Sequence, residues 1–128
     1  MKRSTFLAIS AVLAFLFGVG FLFFPQQNVS AFGIDATPAV VSFARAVGSM
    51  LLALGVLNWM VRREPMSGAL RAILWANLII QAIDAVLNVM DITGGVVSPA
   101  GGWFGEAVHV LLAAGFAYYL FSPARDSA

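Results

Sequence analysis

The chain has 128 residues, 61% of them hydrophobic and 10% charged, with a net charge of +1 and no cysteine. A soluble domain carries roughly 45–50% apolar and about 25% charged residues, so a soluble fold of this size could not hide the apolar excess, and a single membrane-embedded domain over residues 1–128 is expected instead. The few scattered charges exclude a basic nucleic-acid surface, and the lack of cysteine excludes disulfides, thiol chemistry and cysteine-ligated metals.

Four apolar runs follow in chain order, at 6–24, 39–61, 69–90 and 104–121. Each approaches the ~20 residues that a helix needs to cross about 30 Å of hydrocarbon. Period-two alternation is absent, so a transmembrane β-barrel is not expected. Met1-Lys2-Arg3 before the first run, with Val29-Ser30-Ala31 after it, has the outline of a signal peptide. The run is long for such an apolar core, and it is read as a spanning helix. Pro25 closes it, and the stretch 25–38 reads as a loop. Within that loop Asn28-Val29-Ser30 matches a glycosylation acceptor, relevant only in a eukaryotic secretory pathway.

Thr37-Pro38 reads as an N-cap and first-turn proline for the second helix. Ala14/Gly18 and Ala44/Gly48, with Gly55 one heptad further, are small-residue pairs suited to close helix contact. Pro65 to Gly68 is a short turn, with Ser67 as N-cap of the third helix. The stretch 91–103, holding Gly94, Gly95, Pro99, Gly101 and Gly102, reads as a flexible loop. Pro123 closes the fourth helix.

Lysine and arginine set the orientation. Lys2, Arg3, Arg62, Arg63, Arg71 and Arg125 fall at the termini and around the 62–71 turn, whereas the other two connections carry none. The positive-inside rule then places both termini in the cytoplasm. Trp59, Tyr118 and Tyr119 fall near the inner interface and Trp103 near the outer one, as aromatic belts require.

The third run is the unusual one. Asn77, Gln81, Asp84 and Asn88 recur at helical spacing and form a single polar stripe. Polar groups at membrane depth must face protein or water, so the stripe should point into the bundle. Arg45 and Asp84 each lie six residues from the outer end of their runs, ~9 Å deep at ~1.5 Å per residue. Glu106 and His109 fall in the first turns of the fourth run, at a similar depth. A planar guanidinium matches a carboxylate, so Arg45 is expected to pair with Asp84, or else with Glu106. Asn77 and Asn88 suit interhelical hydrogen bonding, and Asn58 suits the inner interface. Glu106-x-x-His109 has a spacing used in di-iron bundles, but those sites need two such pairs. With one histidine in the chain, no metal and no cofactor are assigned.

Gly18-Val19-Gly20 with Pro25, Phe32-Gly33, Phe43-Ala44-Arg45-Ala46-Val47-Gly48 and Leu54-Gly55 together resemble small DoxX-like bacterial membrane proteins, over roughly residues 10–64. The resemblance implies a four-helix bundle in the cytoplasmic membrane, with Arg45 the residue most plausibly shared. Some members of that family are associated with quinone-linked respiratory or sulfur-oxidising complexes. It implies no catalytic residue.

The expectation is therefore an all-α, antiparallel four-helix bundle in the inner membrane, with both termini cytoplasmic. A charged pocket near the outer leaflet, built from Arg45, Asp84, Glu106, His109, Gln81 and Asn88 with Trp103 at its mouth, would bind a small amphiphile of the quinone or isoprenoid class. No reaction is assigned. A non-catalytic accessory subunit of a larger membrane complex is the alternative, and a proton or ion path along the stripe a third. The partners expected are the bilayer, a lipid-like ligand and a homo-oligomer or larger assembly, with no nucleic acid.

Overall fold

The computed structural model describes residues 1–122, so the helix stop at Pro123 and the cation Arg125 lie outside the described residues. Its helices are α1 (Arg3–Phe23), α2 (Pro25–Ala31), α3 (Pro38–Val61), α4 (Gly68–Thr93) and α5 (Pro99–Phe121). The four longer helices are long and apolar enough to cross a membrane.

Capping explains most of the boundaries. Thr37 accepts a hydrogen bond from the Val40 amide at 3.3 Å, and Ser67 accepts one from Leu70 at 3.2 Å, so both expected N-caps form. Pro25 stops α1 and, having no N–H to lose, opens α2 at its first position. The short helix α2 takes up the first part of the loop expected over 25–38, leaving 32–37 as the connection. The loop expected over 91–103 is likewise shorter, because α4 runs on to Thr93 and α5 already starts at Pro99. Gly101 and Gly102 are helical. They are small because their neighbours are close: a Cβ on Gly102 would lie 2.4 Å from an Ile92 side-chain carbon, and one on Gly101 2.9 Å from the Ala31 carbonyl.

The long helices run antiparallel and form two close pairs, α1 with α3 and α4 with α5. Glycine makes the first pair. A Cβ on Gly48 would sit 2.6 Å from the Leu22 amide nitrogen and 2.9 Å from the Gly18 carbonyl oxygen, and one on Gly55 would sit 3.2 Å from the Ala11 carbonyl. The small-residue pairs read from the sequence are thus the contact between α1 and α3. The two pairs join at the end that holds the N-terminus, where Phe6, Leu7, Leu70, Leu74, Leu112, Phe116 and Leu120 form the buried core. Phe6 and Phe116 meet edge to face at 4.9 Å. At this end Arg3 Nη2 donates to the Glu64 carbonyl at 2.7 Å and Tyr119 Oη to the Met1 carbonyl at 2.6 Å. At the opposite end the Ser98 amide donates to the Phe32 carbonyl at 2.7 Å, joining the connection after α2 to the start of α5.

Gly48→Ala is expected to lower stability in detergent by about 1–3 kcal/mol, the usual cost of overpacking a close contact. Gly68→Ala, with nothing within 4 Å of the added carbon, should be neutral or slightly stabilising. Thermal unfolding of the two purified variants checks the contrast.

Candidate functional site

Between the two helix pairs, beyond the shared core, lies a cavity of about 240 Å³. One wall is polar and comes from α4 and α5: Gln81, Asp84, Asn88 and His109. The facing wall comes from α1 and α3 and is apolar except for Ser10, with Leu13 and Phe17 on α1 and Val47, Leu51 and Leu54 on α3. Phe21 and Phe32 stack at 6.2 Å and close the end nearest α2.

The polar wall exists because the stripe on α4 does face inward. Asn77 and Gln81 are buried, and Asp84 and Asn88 partly so. His109 stands 2.7 Å from Gln81, its Nδ1–H donating to the amide oxygen. Asn88 donates to the Gly102 carbonyl at 2.8 Å and to Glu106 Oε2 at 3.2 Å, so both of its amide hydrogens tie α4 to α5. Asp84 lines the cavity and makes no hydrogen bond or ion pair with any described residue.

Below the cavity the stripe ends in a structural lock. Asn58 and Asn77, both fully buried, exchange two amide hydrogen bonds at 2.9 and 3.1 Å. Asn58 also donates to Ser10 at 3.2 Å, and Asn77 to the Ile73 carbonyl at 2.9 Å. Asn58, expected at the inner interface, is therefore a core residue. Buried amides in a low-dielectric interior require such partners, and these two satisfy each other. Leu70 and Leu74, buried on the same face, continue the helix surface below Asn77 with no polar group.

Three expected members of the pocket stand elsewhere. Arg45 is exposed and pairs with neither Asp84 nor Glu106. The reason is azimuth. At ~100° per residue Arg45 lies about 120–180° around α3 from the cavity-lining positions Val47, Leu51 and Leu54. The close contact of Gly48 and Gly55 with α1 fixes α3 in that rotation. Trp103 is 55% exposed and outside the cavity lining. Glu106 reaches Asn88 but does not line the cavity. Among the described residues no three histidine, aspartate or glutamate side chains gather as metal ligands.

Residues not singled out from the sequence complete the site. Ser10, Leu13, Phe17 and Phe21 line it at helical intervals along α1, and Phe32 closes it from beyond α2. Their signal was the presence of Ser10 on a phenylalanine-bearing face. A second, mostly apolar groove of about 510 Å³ runs between α1 and α5 along Phe6, Ile9, Leu111 and Gly115, with Tyr118 and Tyr119 also in its lining. Leu13, Val108 and Leu112 border both spaces.

No protein-family profile, curated protein or solved structure matches the chain.

Breaking the amide lock from either side should leave a buried amide without its partner. Asn77→Leu and Asn58→Leu are each expected to destabilise by ~1–3 kcal/mol through the amide left unsatisfied. The double variant should be less destabilised than the sum, with a coupling of roughly 0.6–1.7 kcal/mol. A double-mutant cycle of unfolding in detergent measures it.

Proposed function

We propose that this chain is a multi-pass protein of the cytoplasmic membrane, with both termini inside, that holds a small amphiphilic, lipid-like molecule between its two helix pairs. Four apolar helices and a surface bearing exposed Leu16, Phe43, Met50 and Leu111 support residence in a bilayer. The clustering of Lys2, Arg3, Arg62, Arg63 and Arg71 at one end supports the orientation.

The observation that carries the ligand reading is the two-sided cavity. Ligand pockets are mostly apolar with a few convergent polar groups, and this one sets four polar side chains against an aliphatic and aromatic wall. The apolar groove behind Leu13, Val108 and Leu112 gives a tail a place beside the head, with its open side toward lipid. The apolar body of a quinone or isoprenoid fits that shape. A proton path is less favoured, because the stripe ends at the amide lock and leucines follow it. The exposed Arg45 favours a second reading. A cation at membrane depth on the outward face of α3 suits an acidic group on a partner subunit, as an accessory protein would require.

Native mass spectrometry of gently extracted protein separates these readings. Wild type should carry an adduct of lipid-like mass, and Leu51→Trp, which fills the cavity, should not. A copurifying polypeptide with no small adduct in either protein would instead support the accessory role. Orientation is tested by thiol accessibility, because the chain has no cysteine of its own. In spheroplasts an impermeant maleimide should label Val96→Cys directly, and Met66→Cys only after permeabilisation.

A further inference from the structure

We infer that the cavity selects an organic cation, a lipophilic ammonium whose charge sits against Asp84. The inference rests on the proposed reading of this cavity as a ligand site and specifies the chemistry of its occupant.

A count of donors and acceptors carries it. Asp84 offers two carboxylate oxygens that no described residue uses. Asn88 has committed both amide hydrogens to Gly102 and Glu106, so its oxygen is what remains. His109 gives its Nδ1–H to Gln81, and the other nitrogen of a neutral imidazole is an acceptor. Against these acceptors the remaining donors are the Gln81 amide nitrogen and the hydroxyl of Ser10, whose oxygen already accepts from Asn58. The lining contains no lysine or arginine. Arg45, the cation expected there, is held on the far side of α3. Glu106, bonded to Asn88, adds a second acidic group beside the wall.

An ionised carboxylate in an apolar site needs a cation against it. No lysine or arginine of the lining supplies one, and His109 is turned to Gln81, so an ammonium occupant would fill that place. The rest of the lining says what kind of cation. A bare metal ion would need several oxygen ligands, whereas Phe17, Phe21 and Phe32 present aromatic rings. Those rings suit an alkylated ammonium through cation–π attraction and apolar contact. A quinone or an anionic head would bring further acceptors to a wall already short of donors.

The test uses three small probes of similar shape: benzyltrimethylammonium, its uncharged carbon analogue neopentylbenzene, and the anion benzylsulfonate. Each is titrated into the full chain in nanodiscs, with the methyl resonances of Val47, Leu51 and Leu54 as the readout. The ammonium should shift these methyls saturably, and roughly tenfold or more tighter than the neutral analogue, as a charge-assisted contact provides. The sulfonate should not bind. Asp84→Asn should remove the preference for the cation, and Asp84→Glu should keep it. Equal affinity for the ammonium and the neutral analogue in wild type, a comparison that needs no variant, overturns the cation inference but leaves the cavity as a ligand site. Undiminished ammonium binding in a folded Asp84→Asn does the same. If no probe moves the three methyls, the ligand-site reading itself fails.

Discussion

The Asn58–Asn77 amide pair is the constraint on which the site depends. It links α3 to α4 in the interior, where neither side chain can reach water. Both amides must therefore find each other, and that fixes the rotation of two helices that belong to different pairs. On α4 the same rotation turns Gln81, Asp84 and Asn88 inward. On α3 it turns Val47, Leu51 and Leu54 toward them. The cavity is the space that opens above this lock, where the pairs no longer share the leucine and phenylalanine core.

Packing within each pair supports the same geometry. Gly48 and Gly55 bring α3 onto the backbone of α1, and Gly102 seats α5 against Ile92 of α4. Between the pairs the contacts include the core end, the Asn58–Asn77 lock and, at the other end, the packing of Gly101 and Ser98 against Ala31 and Phe32. Close contact inside pairs and sparse contact between them leaves a crevice with walls of different origin. The polar wall belongs to one pair and the apolar wall to the other.

Much of the bundle was legible in the residues. Four apolar runs became four long helices, Thr37 and Ser67 became caps, and the polar stripe faced the interior. Pro25 closes α1 as expected but also begins α2, and of the glycines after Asp91 Gly94 and Gly95 make the turn, while Gly101 and Gly102 lie in α5 and serve close packing. A glycine needed for contact and a glycine needed for a turn look the same in a sequence. Arg45 was assigned by depth to the pocket, and its depth carried no information about direction. Asn58 held that information: Val47, Leu51, Leu54 and Asn58 share one face of α3, and a buried amide on that face was the sign that it meets the stripe.

The sequence alone determined the four apolar helices to within a few residues at most ends, the N-caps Thr37 and Ser67, and the relative depth of the charged side chains along each helix, because rise per residue is constant in an α-helix. Only the tertiary structure decided which of those side chains meet. That depends on rotation about each helix axis, set by glycine contacts and by amides seeking partners across helices distant in the chain. The outcome is a cavity with Asp84 on its wall and Arg45 outside it, a separation of charge that no reading of depth could have shown.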